Sequence, residues 1–425
     1  MPGTGAGAGV RVRAHLEDEY GIQVAVMSEL DEGVFRVSRP VGPAWVARIF
    51  PGARPVSAVA GDAEILRFLA GHRFRAERPA ASDPVSELDG QGVLVTEYVD
   101  DVPRQQRRDE IRRLGGFWTL GVMLGELHTL PGSDGAPGAP GAIARPGGAW
   151  HHLAEGLPRD EIAAAARILD EAEERIPATE RKAYAALRAQ VAGLDGGDGL
   201  PHALTHPDFV LANVIPSPSR GMVMVDWTGS GQGPRLWSLA FLLYAAGGRG
   251  LNRVDSAIRG YLTQVRPEPE ELDRLAGLIR VRPAMFGVWA VGQGRKSVAE
   301  AWRGVTETRA LTDAVAARAL TAFGRGPSSL QNGTPRHDRV GAGRLHNIGT
   351  RPTIEGPSHV LAFPVLPGKE FEGPVEQVAR GAPDHHAVER PVRGLHRVAA
   401  LDLGGEPASR GALIIKAGGA VEEHH

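Results

Sequence analysis

Residues 205–227 read THPDFVLANVIPSPSRGMVMVDW, and they constrain the fold more than any other stretch of the chain. Polar side chains occur there at regular positions in a mostly apolar segment, namely His206, Asp208, Asn213 and Asp226. A carboxylate among apolar residues is costly to bury unless it has a partner. The chain must therefore fold so that these polar groups meet one another or a shared ligand.

The second half of this stretch predicts a β-hairpin. Residues 214–215 and 222–225 are apolar, and the intervening PSPSRG is typical of a turn. Pairing of the two strands would bring Asp226 back beside Asn213. An amide and a carboxylate suit a hard cation such as Mg²⁺, which uses few protein ligands and keeps water and phosphate oxygens.

The spacing H-x-D-x-x-x-x-N, followed by an aspartate at a strand end, fits the needs of phosphoryl transfer. That reaction requires a carboxylate that orients the attacking hydroxyl, an amide and a carboxylate that hold metal, and a cation at the phosphates. Each residue also has a structural alternative. Asp208 could begin a turn, Asn213 could stabilise a left-handed turn, and His206 could brace the loop. The combination favours chemistry more than any one residue does.

The bulk properties exclude several classes of protein. The chain has 425 residues, of which 42% are hydrophobic, with a formal net charge of −2 that gives no basic surface for nucleic acid. Cysteine is absent, which excludes disulfides and thiolate metal sites. The N-terminus lacks a signal-peptide pattern, and no segment reaches the ~20 apolar residues of a membrane span. We therefore expect a cytoplasmic protein without nucleic-acid or membrane partners.

Composition and periodicity divide the chain into four parts. Residues 1–9 are Gly-rich and predict a flexible lead, and residues 10–20 suit a short helix. The rest of residues 10–100 predicts strands around one helix at residues 58–72. Residues 101–325 predict a larger, mainly helical part, in which residues 108–130 form one helix despite paired glycines. Residues 326–425 are rich in Gly, Pro, Arg and His and predict a largely disordered extension.

Several motifs together resemble the aminoglycoside phosphotransferase and choline kinase type family, the small-molecule branch of the kinase-like fold. "HPDFVLANV" resembles the catalytic loop of that family, and "VDWTGSGQGPRLWSLAFLL" resembles its metal-binding segment and the following helix. "VLVTEYVDD" resembles the hinge strand, and "LGELHTLPG" resembles the end of the first long helix of the C-lobe. The resemblance follows the order of the fold over residues 10–323.

The resemblance implies an α+β, two-lobed fold, with a small antiparallel N-lobe sheet, one helix beside it and a mainly helical C-lobe. It implies a kinase that uses ATP and Mg²⁺ and transfers the γ-phosphate to a hydroxyl of a small molecule, such as an aminoglycoside-like compound, a sugar or an amino-alcohol. Asp208 would be the base, and Asn213 and Asp226 would hold the metal. We expect a monomer or a weak dimer.

The resemblance also implies the residues that bind the nucleotide. Arg48 on the third strand would contact the phosphates, and Glu64 on the following helix would pair with it. Gly33 would let the backbone approach the phosphates, and backbone groups of Glu97 and Val99 would contact adenine. Arg48 and Glu64 each have the alternative of lying on a solvated face.

Three residues depart from the family pattern. Arg48 stands where classical kinases have lysine, Gly33 is the one glycine in its loop, and Ser238 stands where an aspartate often braces the catalytic loop. These departures keep a rival interpretation open, namely a catalytically weak nucleotide-binding regulatory protein on the same fold. A third interpretation is a helical interaction protein whose active part is the C-terminal extension.

Overall fold

A computed structural model of the protein describes residues 6–135, 143–149 and 156–324. These residues all belong to one of the two units into which the chain divides. The predicted low-order extension at 326–425 lies outside the described residues, as do the first five residues of the predicted flexible lead.

The N-terminal lobe is built on a five-stranded antiparallel sheet, with strand order β1-β2-β3-β5-β4. Its elements are α1 (Ala6–Tyr20), β1 (Val26–Asp31), β2 (Val34–Ser38), β3 (Trp45–Ile49), α2 (Val56–Gly71), β4 (Val85–Leu88) and β5 (Gln91–Glu97).

Helix α1 covers one face of this sheet. Val12 and Leu16, four residues apart on the helix, pack into one cluster with Phe35 of β2 and Val95 of β5. The pattern of residues 10–20 suits a short helix, and α1 confirms this prediction, although the helix begins at Ala6, inside the stretch expected to be a flexible lead. The apolar side of α1 covers this face of the sheet.

The other face of the sheet points toward helix α2 and the cleft. The cross-strand register places two rows of side chains there, Val34–Arg48–Leu94 and Arg36–Val46–Thr96. Helix α2 approaches β5 closely at Gly92, where a Cβ atom would lie 2.7 Å from Val59 Cγ2. This close approach holds α2 against the same face that carries Arg48.

The C-terminal lobe is mainly helical. Its helices are α3 (Arg107–Arg113), α4 (Gly116–His128), α5 (Pro158–Ala172), α6 (Arg181–Ala192), α7 (Arg235–Gly247), α8 (Leu251–Tyr261), α9 (Pro269–Ile279), α10 (Val281–Gly292) and α11 (Val298–Gly324). Four short strands form two antiparallel pairs, β6 with β9 and β7 with β8. Their bounds are β6 (His202–Thr205), β7 (Val214–Ser217), β8 (Gly221–Met224) and β9 (Gly231–Pro234).

The paired glycines between α3 and α4 end one helix and begin another. Gly115 has a φ of 92° and Gly116 a φ of 53°, both left-handed values that the interior of a right-handed helix does not adopt. A Cβ atom at Gly115 would also lie 2.5 Å from Thr119 Oγ1. The prediction of one continuous helix over residues 108–130 was therefore wrong.

Helices α4 and α8 pack so closely that two glycines are required at their crossing. A Cβ atom at Gly121 would lie 2.0 Å from the Ala257 carbonyl oxygen, and one at Gly260 would lie 2.0 Å from the Trp118 carbonyl oxygen. Both obstacles are backbone atoms, so a change of side-chain rotamer cannot relieve the clash. The spacing between these two helices is therefore set by the absence of side chains.

Gly121→Ala should lower the free energy of unfolding by about 2 kcal/mol or more, because overpacking forces backbone shifts. Gly304→Ala in α11 is a matched control, since a Cβ atom there meets nothing within 4 Å. Alanine at that position should stabilise the helix by up to about 1 kcal/mol. Urea denaturation of both variants provides the measurement, and equal stabilities would contradict the close packing of α4 and α8.

His128 of α4 is a buried neutral group. Its Nδ1 lies 2.9 Å from the Tyr261 hydroxyl of α8. Burial, together with repulsion by Arg235, lowers the pKa of His128 to about 3. The unfolded chain, with a histidine pKa of ~6.5, therefore binds a proton that the folded chain excludes. The stabilisation by His128 is present above about pH 6.5 and is lost as the pH falls toward the pKa of the folded state.

His128→Gln should therefore flatten the pH dependence of the unfolding free energy on the acid side of neutrality. One excluded proton contributes a slope of about 1.4 kcal/mol per pH unit below the unfolded pKa. Denaturant titrations at about pH 6.5, 5.5 and 4.5 would measure this slope. His202 is exposed at the start of β6, so His202→Gln should leave the slope unchanged. An unaltered slope in His128→Gln would contradict the burial of a neutral imidazole.

One helical stretch among the described residues, Pro269–Gly292, is long and apolar enough to cross a membrane by length and composition. The sequence analysis expected no such segment. Half of its most apolar window is buried inside the protein, and core helices of soluble proteins pass the same test. The stretch is therefore weak evidence for a membrane span.

Candidate active site

The hairpin of β7 and β8 joins the two halves of the polar pattern. Val214 pairs with Met224, and the Val225 amide donates to the Asn213 carbonyl oxygen at 3.0 Å. Asp226 is the next residue, so the hairpin brings it back beside Asn213, as its pattern predicted. Asp226 has a φ of 65°, a left-handed value that aspartate adopts more readily than most residues.

Asn213 and Asp208 form a closed pair of hydrogen bonds. The Asn213 amide nitrogen donates to Asp208 Oδ2 at 2.8 Å and to the Asp208 carbonyl oxygen at 2.9 Å. Both amide protons are therefore directed at Asp208, and the amide oxygen of Asn213 points elsewhere. That oxygen is the kind of ligand that Mg²⁺ binds.

His206 stabilises this loop through hydrogen bonds of both ring nitrogens to backbone groups. Its Nδ1 accepts a hydrogen bond from the Asp208 amide at 3.0 Å, and its Nε2 lies 3.2 Å from the Val225 carbonyl oxygen, to which it donates. Burial lowers the pKa of His206 to about 4, so the ring is neutral at physiological pH. The structural alternative proposed for His206 is thus the one that its geometry supports.

Ser238 of α7 holds both backbone groups of His206. Its hydroxyl donates to the His206 carbonyl oxygen at 2.8 Å and accepts from the His206 amide at 3.2 Å. The sequence analysis expected that serine at this position could loosen the loop. The hydroxyl instead satisfies a donor and an acceptor that are both buried.

A buried ion pair lies next to the same loop. Arg282 of α10 donates to Glu161 Oε1 of α5 at 3.1 Å and to the Pro207 carbonyl oxygen at 2.6 Å. Burial raises the pKa of Asp208 to about 6, although Arg282 and Asn213 oppose the shift. Asp208 is therefore ionised at neutral pH and more basic than an exposed aspartate.

Arg48 extends from β3 across the cleft to Asp226. Its Nη1 lies 2.5 Å from Asp226 Oδ1 and 3.1 Å from Thr228 Oγ1. Burial disfavours the charged form of Arg48, but the carboxylates of Asp226 and Glu77 raise its pKa overall. The solvated-face alternative for Arg48 is therefore wrong, and Arg48 and Asp226 lie in one site.

The structure does not bring Glu64 to Arg48. Glu64 is exposed on α2, whereas Asp62, two residues earlier, is buried and lines the cleft. Asp62 accepts hydrogen bonds from Arg54 at 2.7 Å and from Arg145 at 2.6 Å. The predicted pairing of Glu64 was wrong because a shift of two positions turns a residue about 200° around an α-helix.

Asp62, Arg145 and Glu77 were missed by the sequence analysis. Asp62 lies four residues from the buried Ala58 and Leu66, so its place on the apolar side of α2 could have been recognised. Arg145 lies in a Gly/Pro-rich loop and gave no such signal. It also donates to the carbonyl oxygens of Ser230 at 2.8 Å and of Ala58 at 3.0 Å, which ties α2 to the segment after Asp226.

The remaining predicted nucleotide residues, Gly33, Glu97 and Val99, are not among the residues that line the pocket of the cleft. Gly33 has a φ of 70° in the tight turn between β1 and β2, and a Cβ atom there would lie 2.9 Å from the Ile49 carbonyl oxygen. Glu97 ends β5 and donates its amide to the Arg78 carbonyl oxygen at 2.8 Å. Val99 is buried two residues later.

A pocket lies on the face of the N-lobe sheet that carries Arg48. It is lined by Val46, Arg48, Asp62, Leu66, Glu77, Leu94, Thr96, Trp227 and Thr228. No group of three or more His, Asp or Glu side chains among the described residues could hold a metal ion by itself. The donor set of Asn213 and Asp226 fits an ion that completes its shell with phosphate and water, such as Mg²⁺.

Solved structures of small-molecule kinases are similar to this chain. The choline/ethanolamine kinase family protein from Mesorhizobium loti is 20% identical, with 75% of this chain and 99% of that chain covered and a TM-score of 0.48. The choline kinase from Streptococcus pneumoniae is 15% identical, with 71% and 100% covered and a TM-score of 0.48. An amicoumacin kinase in complex with AMP-PNP, Ca²⁺ and Ami is 13% identical, with 73% and 96% covered and a TM-score of 0.49.

No curated protein matches the sequence significantly. The sequence pattern of the phosphotransferase enzyme family matches residues 23–278, more than half of the chain, and these residues include both lobes of the cleft and every predicted site residue. The chain therefore belongs to the phosphotransferase enzyme family.

Proposed function

We propose that this protein transfers the γ-phosphate of ATP, with Mg²⁺, to a hydroxyl group of a small molecule. The observation that carries the proposal is the orientation of Asn213. Its amide nitrogen binds the Asp208 carboxylate, which leaves its amide oxygen outside that contact, and its backbone carbonyl accepts from the Val225 amide, next to Asp226. One loop thus holds a base and two metal ligands at the spacing that phosphoryl transfer needs.

Asp208 acts on the acceptor. Asn213 occupies Oδ2 of this carboxylate, which leaves Oδ1 to accept the proton of the attacking hydroxyl. The carboxylate is ionised at neutral pH, and a general base of this kind contributes typically ~10²–10⁴-fold to the rate. His206 and Arg282 fix the backbone of the loop, so the Asp208 carboxylate is already oriented in the absence of the acceptor.

Arg48 and Asp226 act on the nucleotide. Bound Mg²⁺, held by Asn213 and Asp226, would neutralise charge on the phosphates. Arg48 would then exchange its contact with the Asp226 carboxylate for the phosphate oxygens, since a guanidinium binds either anion with the same planar geometry. Both side chains are partly exposed to the cleft, which leaves room for this exchange.

The base of the nucleotide would lie beside the end of β5. Glu97 and Val99 present backbone groups there, and the Val99 amide has no hydrogen-bond partner among the described residues. Apolar side chains of Val46 and Leu94 line the adjoining pocket. This combination suits a flat heterocycle that needs one or two backbone hydrogen bonds and an apolar surface.

The rival function is nucleotide binding without turnover. Its motive was the sparse glycine loop and the serine at position 238. Ser238 forms two hydrogen bonds to His206, which removes the second of these motives. The first remains, because Gly33 serves the turn between β1 and β2. ADP release with a panel of aminoglycosides, sugars and amino-alcohols would separate the two functions.

Asp208→Asn and Asp226→Asn should fail in different ways. Loss of Asp226 should remove the thermal stabilisation by magnesium-ATP, which is about 2.7 kcal/mol at a ligand concentration a hundredfold above Kd. Loss of Asp208 should leave that stabilisation nearly intact and lower ADP release by at least ~10²-fold. Melting curves with and without magnesium-ATP, together with ADP release, provide the measurements.

Asp195→Asn is a suitable control for this pair. Asp195 forms an ion pair with Arg274 in the C-lobe and has no contact with the cleft residues described above. Its replacement should change neither the ATP-dependent stabilisation nor the turnover. The assignment of roles fails if Asp208→Asn abolishes the thermal shift while Asp226→Asn retains it.

Ser238→Ala should lower kcat by up to about thirtyfold, because two hydrogen bonds that orient the loop are lost at about 1 kcal/mol each. Stabilisation by magnesium-ATP should persist, since Asn213 and Asp226 flank the hairpin of β7 and β8, whose pairing does not involve Ser238. Ser297→Ala removes a hydroxyl that accepts from the Glu300 amide at the start of α11, and it should lower stability without an effect on kcat. Equal kcat values for the two variants would show that Ser238 does not position the loop.

A further inference from the structure

We infer that Glu77 is a positioning residue, which holds the backbone of Asp226 while the Asp226 carboxylate binds metal. This inference rests on the proposed function. Glu77 lies in the segment between α2 and β4, is 9% exposed and lines the cleft pocket. Nothing in the spacing of the sequence motifs pointed to it.

Glu77 binds the backbone of Asp226, whereas the other described side-chain contacts of Asp226 are made by its carboxylate. Glu77 Oε1 accepts a hydrogen bond from the Asp226 amide at 2.9 Å. Arg48 and Thr228, in contrast, bind the Asp226 carboxylate itself, at 2.5 Å and 3.1 Å. A metal ion would compete with these two contacts, whereas the contact with the amide does not involve the carboxylate.

The contact matters because the backbone of Asp226 is left-handed. Its φ of 65° is unfavourable for a residue with a side chain and persists where surrounding contacts impose it. A charge-assisted hydrogen bond to the amide is among the stronger contacts that can do so. Glu77 thereby fixes the direction in which the carboxylate leaves the backbone.

Glu77 is itself held from both lobes. Its Oε2 accepts from the Thr96 hydroxyl of β5 at 3.2 Å, and its own amide donates to the Met224 carbonyl oxygen of β8 at 3.1 Å. The Met224 amide in turn donates to the Arg75 carbonyl oxygen at 2.8 Å. One side chain thus links the strand beside the nucleotide base to the strand that ends at the metal ligand.

The test compares Glu77→Gln with Glu77→Met in the full-length protein. Glutamine keeps an oxygen that accepts from the Asp226 amide, and methionine fills a similar volume without an acceptor. The readout is the Mg²⁺ concentration that gives half of the maximal thermal shift at saturating ATP. Loss of one charge-assisted hydrogen bond should raise this concentration about tenfold in Glu77→Met, and Glu77→Gln should remain within about threefold of the wild type.

Two further variants complete the design. Glu87 is exposed on β4, so Glu87→Met is the matched control and should leave the Mg²⁺ requirement unchanged. Thr96→Val removes the hydroxyl that orients Glu77 and should raise the Mg²⁺ requirement about fivefold, even where Glu77→Met does not fold. A Thr96→Val protein with the wild-type requirement would overturn the inference.

The outcomes separate this inference from the proposed function. If the wild type shows no Mg²⁺-dependent shift with ATP, the proposed function fails. If the wild type shows the shift and Glu77→Met matches it, the inference alone is overturned. If Glu77→Gln loses as much as Glu77→Met, the charge of Glu77 and not its hydrogen bond is what matters, and the positioning role is also overturned.

Discussion

The cleft between the lobes depends on the pairing of buried carboxylates with arginines. Taking an ion out of water costs several kcal/mol, which only well-placed partners repay. Asp62 is buried between Arg54 and Arg145. Asp226 and Glu77 both interact electrostatically with the positive charge of Arg48. Because these partners come from both lobes and from the loop between α4 and α5, the pairing fixes how the sheet, α2 and the hairpin meet.

In this arrangement, one set of ion pairs anchors α2 and a different ion pair holds Arg48. Helix α2 is anchored through Asp62 and its two arginines, and it needs no contact with Arg48. In the proposed function, Arg48 would therefore move from Asp226 to a phosphate without release of the helix, and α2 would keep its place while Arg48 changes partners.

The sequence was most informative where function depends on local spacing. Asp208, Asn213 and Asp226 could be placed together because a short hairpin follows the loop, and hairpin pairing is a local property of the chain. Residues that meet only through tertiary packing could not be placed. Arg145 reaches Asp62 from a loop without periodicity, and Glu77 meets Asp226 across the lobes although the two are 149 positions apart in the sequence.

Ser238 shows why a departure from a family pattern has to be judged by the groups that it contacts. The His206 amide needs an acceptor and the His206 carbonyl needs a donor, and a single hydroxyl can be both. An ionised carboxylate could only accept, and its burial would add the cost of desolvating a charge. Since His206 is neutral, a neutral partner in α7 completes the loop without a further counterion, and serine is sufficient at this position.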